Sequence, residues 1–161
     1  MATDIAQAPP GLTSDLCWLL ARTSHNLTTE MTAALEEVGI SPRSHAVLTT
    51  AMTGEHTQTE IARIVGLDKT TMVVTVDELE ANGLAERRPS GTDRRARVIA
   101  VTEAGKRALK KADKVLDRVR DDVLSVLAPD ERRVFLDSLA QLACGRLAEP
   151  VTCAHPVRRP R

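Results

Sequence analysis

Residues 57–102, TQTEIARIVGLDKTTMVVTVDELEANGLAERRPSGTDRRARVIAVT, decide the fold. They read as two short helices followed by an arginine-rich β-hairpin. The first helix opens with a capping box, in which Thr57 accepts from the backbone near Glu60 while Glu60 reaches back. Ile61, Ile64 and Val65 then recur at helical spacing and are expected to be buried. Gly66 supplies the positive φ of a tight interhelical corner, and Leu67 plugs that corner. Asp68 caps a second helix whose inward positions are Met72, Thr75, Val76 and Leu79. Gly83 ends it. The small Ala62, four residues before Gly66, lets the two helices cross closely.

An ordinary αα-hairpin has the same spacing, so the stretch that follows decides between readings. Two short strands, Leu84 to Arg88 and Arg97 to Val101, flank the turn Pro89, Ser90, Gly91, Thr92. In this hairpin Arg87, Arg88, Arg94, Arg95 and Arg97 outnumber Glu86 and Asp93. Arginine concentrated on a protruding hairpin suits phosphates and a narrow minor groove. The unit therefore reads as a helix-turn-helix with a wing, its second helix placed to enter a major groove.

The same residues resemble a known family, the MarR (multiple-antibiotic-resistance regulator) family of winged-helix transcription factors. LDKTTMVVTVDELEANGLAER resembles its recognition helix and first wing strand, DRR at Asp93 to Arg95 its wing-tip D-x-R, and VTEAGKRAL its strand-to-helix exit. These motifs fall between residues 67 and 109. Where the family often has arginine or lysine in the recognition helix, this chain has Val74. The resemblance implies a helical platform that dimerises and holds two winged helices at successive major grooves. A twofold dimer in turn implies a palindromic duplex operator.

Composition narrows the function further. With 161 residues the chain has the length of a single domain, and with one Trp, one Phe and no Tyr it lacks the aromatics of stacking-based RNA or single-strand recognition. Duplex reading needs none. The 22 basic and 22 acidic residues cancel, so attraction to DNA must come from segregation of charge. Residues 57–102 also balance; their bases sit at the start of the second helix and in the wing, whereas Asp77, Glu78 and Glu80 lie toward that helix's far end. No apolar run approaches the roughly 18 residues of a membrane span and no leader pattern opens the chain, so a soluble cytoplasmic protein is expected. Cys17, Cys144 and Cys153 are an odd number without metal-site spacing and fit free thiols. His25, His45, His56 and His155 are scattered, and neither a nucleophile elbow nor a phosphate loop is present. No enzyme, cofactor or metal site is expected.

Outward from the central unit, residues 1–11 are expected to form a disordered arm and 150–161 a disordered tail, around one domain of residues 12–149. A helix beginning near Thr13 or Ser14 carries Leu16, Leu20, Thr23, Leu27, Met31, Ala34 and Val38 in one stripe up to Gly39. Ser41-Pro42 opens a helix with Ala46, Val47, Leu48 and Met52, ending at Gly54. Glu55 and His56 are a candidate third strand beside the wing. Thr102 caps a long helix whose Leu109, Ala112, Leu116, Val119, Val123 and Val126 repeat at coiled-coil spacing. Ala128-Pro129-Asp130-Glu131 starts the last helix, with Val134, Leu139, Leu142, Ala143 and Leu147. The predicted class is mostly α with a small β-hairpin wing: a winged helix-turn-helix at 57–102 plus a dimerisation platform from 12–39 and 103–149. An intramolecular three-helix bundle would show the same periodicity.

The candidate DNA-reading surface is Lys69, Thr70, Thr71, Val73 and Val74 on the second helix. Arg63 and Lys69 anchor phosphates, and Arg88, Arg94, Arg95 and Arg97 work from the wing. Arg95, backed by Arg94, is expected in the minor groove, with Asp93 fixing the tip by pairing with an arginine. Without an arginine or asparagine for bidentate base contacts, threonine hydroxyls and valine methyls do the reading and favour thymine methyls. The resemblance also implies an effector pocket between the first, second and long helices. Arg22, His25, Arg43 and His45 are its candidate lining, suited to a small anionic or phenolic ligand, unless they face water. Leu16-Cys17-Trp18 is similar to the family's organic-hydroperoxide sensors. Those sensors use tyrosines, which this chain lacks, so a buried structural Cys17 is the expectation. The sequence thus reads as a DNA-binding repressor released by an effector; the alternatives are a redox regulator using Cys17 and a helical interaction protein without DNA binding.

Overall fold

A computed structural model describes residues 8–9, 11–93, 95–149 and 151. The expected arm and tail, with Cys153 and His155, lie outside the described residues except for 8, 9, 11 and 151. The chain divides into two compact units, residues 1–120 and 121–161. Its elements run α1 (Leu16–Leu35), α2 (Pro42–Ala51), α3 (Gln58–Val65), α4 (Lys69–Ala81), β1 (Ala85–Pro89), β2 (Arg97–Val101), α5 (Glu103–Val123) and α6 (Pro129–Gln141).

In the first unit, helix starts follow the capping chemistry. Ser41 accepts from the Ser44 N–H at 3.1 Å, and Asp68 from that of Thr71 at 2.9 Å. The Thr57 hydroxyl accepts from the Glu60 N–H at 3.3 Å while Glu60 accepts from the Thr57 N–H at 2.7 Å. Helix α1 starts later than Thr13 or Ser14, because Asp15 takes the Trp18 N–H at 2.6 Å and a carboxylate is a strong cap. Gly66, at φ 74°, makes the corner between α3 and α4.

The core contains no aromatic ring. Val47, Leu48 and Ala51 of α2, Ile61, the α4 residues Met72, Val76 and Leu79, and Ala85, Ile99 and Leu109 form one cluster. Leu35, Ile40, Ala112 and Val115 form another. Two expected core positions of this unit lie outside instead. Ile64 is exposed because α3 meets the core along Ile61 and the half-buried Val65, and residue 64 sits 100° off Val65. Met52 is exposed because Ala51 closes α2 and Met52 is only its C-cap. On α5 the buried line runs Leu109, Ala112, Val115, with Leu116 half-buried beside it, so that helix follows a flat core rather than a strict coiled-coil seam.

The hairpin pairs antiparallel with Ala85 opposite Val101, Arg87 opposite Ile99 and Pro89 opposite Arg97. The anticipated third strand is a single bridge between Thr57 and Val98, supported by the Ile99 N–H bonded to the His56 carbonyl at 3.0 Å. Thr102 welds the hairpin to α5. Its hydroxyl donates to the Gly83 carbonyl at 2.7 Å and accepts from the Gly105 N–H at 3.0 Å, and its own N–H reaches the Leu84 carbonyl at 3.1 Å.

The second unit holds the end of α5, a 3-10 turn at Leu124–Val126, α6 and a wide turn at Leu142–Arg146. Glu131 accepts from the Ala128 N–H at 2.8 Å and starts α6. Val126, Val134, Phe135, Leu136, Leu142 and Leu147 are exposed. Val126 was expected to continue the seam, but the 3-10 turn takes it off the α5 stripe. Among the described residues no helix is long and apolar enough to cross a membrane.

Candidate nucleic-acid interface

Helix α4 buries Met72, Thr75, Val76 and Leu79 and exposes the opposite arc. At 100° per residue, Thr70, Asp77 and Val74 lie nearest the outer line, with Val73 to one side and Lys69 at the edge. Lys69, Thr70, Val73 and Val74 are exposed, the valines at 37% and 51%. Thr71 is half-buried, and its hydroxyl donates to the Asp68 carboxylate at 2.7 Å, so its proton is spent on the cap. Bonds from the Thr71 backbone and hydroxyl hold the Asp68 carboxyl below the usual carboxylate range.

The arc is flanked on both sides. On one flank Thr70, Thr71, Val74, Thr75 and Glu78 line a cavity of about 410 Å³ shared with Thr28 and Thr32 of α1 and with Ser41, Pro42 and Arg43 at the start of α2. On the other, Asp77 and Glu80 take the Arg87 guanidinium of β1, joined by Gln58.

Among the described residues Arg63, Lys69, Arg95 and Arg97 are exposed and make no side-chain hydrogen bond or ion pair. Arg88 pairs with Glu86 on the outer face of the hairpin. Arg94 lies outside the described residues. Asp93 shapes the wing turn through the backbone, accepting from the Arg95 N–H at 2.9 Å rather than from a described guanidinium. The tip has a second anchor that sequence reasoning missed: Glu55 accepts from the Ser90 hydroxyl at 2.7 Å and from the Gly91 N–H at 3.0 Å. A partner 35 positions away leaves no local signal.

The four candidate effector residues are not gathered in one place. Only Arg43 lines the cavity. His25 shares the α1 stripe of Thr28 and Thr32 but stands about one turn nearer its start, whereas Arg22 turns off that stripe and lies over the Trp18 ring at 5.4 Å. His45, two residues past Arg43 and thus on the far side of α2, bonds Asp113 of α5 at 2.8 Å. The cavity's third wall is α4. Cys17 is exposed, contrary to the burial expected, because Leu16 and Leu19 around it are also uncovered within the chain.

A family model described as the MarR family matches residues 38–96, which span α2 to the wing turn. Three solved structures resemble nearly the whole chain. A MarR-family transcriptional regulator from Rhodococcus sp. RHA1 is 28% identical with a TM-score of 0.77, covering 85% of this chain and 99% of that one. Over its winged-helix stretch and in its fold the chain is similar to the MarR family. CouR from Rhodococcus jostii RHA1, bound to p-coumaroyl-CoA, is 29% identical with a TM-score of 0.75, over 85% of this chain and 97% of that one. The transcriptional repressor CouR bound to a 23-mer DNA duplex is 29% identical with a TM-score of 0.76, over 83% of this chain and 96% of that one. In that likeness α4 stands at the place of a winged helix's recognition helix and β1–β2 at the place of its wing.

Proposed function

We propose that this protein is a sequence-specific, duplex-DNA-binding transcriptional repressor that acts as a homodimer and is released by a small-molecule effector. One observation supports the reading: the outer arc of α4 is exposed, Arg63, Lys69, Arg95 and Arg97 are exposed and make no ion pair among the described residues, and the acids Asp77 and Glu80 are taken up by Arg87. Lys69 and Arg63 anchor phosphates, the valines and Thr70 meet base edges, and the wing arginines approach the minor groove.

The cavity supports the effector half of the proposal. It shares Thr70, Thr71 and Val74 with the reading helix, so a ligand that fills it touches α4 directly. Its cation is Arg43, which makes no ion pair among the described residues, its acid is Glu78, and its remaining walls are mainly hydroxyls and methyls. That lining suits a small anionic or phenolic molecule, and CouR, the repressor of similar fold, binds a phenolic acyl thioester.

Selection from random duplex DNA tests the reading, and recovery of no duplex would refute it. The recovered half-site is expected to carry thymines beneath Val73 and Val74, repeated about one helical turn away by the dimer's symmetry. Replacing them with uracil removes only methyl groups and is expected to weaken binding. Equal affinity for the uracil operator would remove the valines from base reading. Arg95→Ala is expected to cost on the order of 1 to 3 kcal/mol of binding and to flatten the salt dependence by about one counterion. A salt slope equal to wild type would assign the wing arginine no role at phosphate.

A further inference from the structure

Arg87 belongs by sequence to the run of wing arginines, yet its surroundings separate it from them. In a hairpin alternate residues share a face, and Arg87 falls on the face of Ala85, Ile99 and Val101. Ala85 and Ile99 are core residues. The guanidinium therefore extends along the edge of the core toward α4, and its side chain is only 28% exposed. There it donates to Asp77 at 2.7 Å, to Glu80, and from two nitrogens to the Gln58 side-chain oxygen at 3.2 and 3.3 Å. The other Glu80 oxygen accepts from the Arg87 N–H at 2.7 Å.

Resting on the DNA-binding reading, we infer that Arg87 is a positioning residue, not a DNA contact: it fixes the angle between the wing and the recognition helix. One side chain joins α3 through Gln58, α4 through Asp77 and Glu80, and the wing through its own strand. A planar guanidinium with five donors can hold three partners in fixed directions, whereas an ammonium cannot. Thr102 and the core residues Ala85 and Ile99 hold the base of the hairpin, but farther out its strand pairing with the rest of the unit is one isolated bridge, so side-chain anchors help set its pitch. Arg87 does so at the base and Glu55 at the tip. With the pitch set before binding, Arg95 and Arg97 reach the minor groove while α4 lies in the major groove, and no ordering cost falls on association.

The test is a double-mutant cycle on the operator recovered with wild-type protein. Arg87→Lys keeps the charge and loses the planar donor set. It is expected to weaken operator binding about tenfold in the wild-type background. In an Arg95→Ala, Arg97→Ala background it is expected to change binding by less than about twofold, because no wing contact remains to be misplaced. Full affinity of Arg87→Lys would show that charge alone suffices, and an equal loss in both backgrounds would mark a general weakening of the fold; either overturns the inference. Glu80→Gln keeps an acceptor for the Arg87 N–H but removes the charge, and is expected to show the same dependence on background. It decides the matter if Arg87→Lys does not fold. A wild-type protein that retains no duplex refutes the parent reading and this one with it, an outcome distinct from an additive cycle.

Discussion

Gly105→Ala is expected to destabilise the protein by on the order of 1 to 3 kcal/mol or more, although alanine is the better helix former. Gly105 sits buried in the first turn of α5, where the helix passes over the turn joining α4 to β1. A Cβ there would overlap the Leu84 carbonyl oxygen and press on Val101 Cγ1 at 2.8 Å. Backbone cannot swing aside as a side chain can. The Leu84 carbonyl is also tied down, since it accepts from both the N–H and the hydroxyl of Thr102. To admit a methyl group, α5 would have to draw away and loosen Leu109 and Ala112 from the two core clusters. Urea unfolding measures the loss, with Gly145→Ala as the control, because a Cβ at Gly145 meets nothing within 4 Å. A Gly105→Ala protein with the wild-type midpoint would mean that α5 is free to move relative to the recognition helix.

The second large effect concerns assembly. Leu16→Lys combined with Leu142→Lys is expected to convert a concentration-dependent dimer into a folded monomer and to abolish operator binding at concentrations where wild type is saturated. Leu16 is 57% exposed in the first unit and Leu142 37% exposed in the second, each among other uncovered apolar residues. A second copy of the chain is the occupant that the twofold reading requires. Fully burying a leucine contributes about 1.5 to 3 kcal/mol, and in a symmetric dimer each substitution acts twice. Even at half that value the interface loses several kcal/mol, more than a hundredfold in its dissociation constant. Neither leucine belongs to the core clusters, so folding should persist. Sedimentation that matches wild type, with the far-UV spectrum intact, would refute the dimer platform.

The central unit was legible because its signals are local. The Thr57–Glu60 capping box, the Gly66 corner, the Asp68 cap and the inward line Met72, Thr75, Val76, Leu79 each depend on residues within a few positions of one another, and backbone geometry converts that spacing into a face. The open arc of α4 followed from the same arithmetic. Ile64, Met52 and Val126 misled because hydrophobic residues at helical spacing show that a helix has an apolar side, not how much of that side another element reaches. Leu35, fully buried, was missed for the converse reason: it lies beside the stripe drawn through Ala34 and Val38, and only contact with α5 selects it.

At the site the division is sharper. That arginines crowd the wing is plain from composition, and alternation along β1 already separates Arg87 from Arg88 by face. What Arg87 does there depends on Asp77 and Glu80 arriving from α4 and Gln58 from α3. Glu55 at the wing tip and Gly105 against Leu84 are likewise pairs of residues distant in the chain. The cavity formed against α4, not α5, because α1 presents Thr28 and Thr32 to the reading helix while His45 turns away to Asp113. The sequence by itself determined the resemblance, the order of elements and the exposed face of α4, all set by capping, turn chemistry and periodicity over short separations. Only the tertiary structure decided which arginine is free and which is bound, which glycine is indispensable and where a ligand has room, because each depends on groups that meet only after the chain has closed long loops between them.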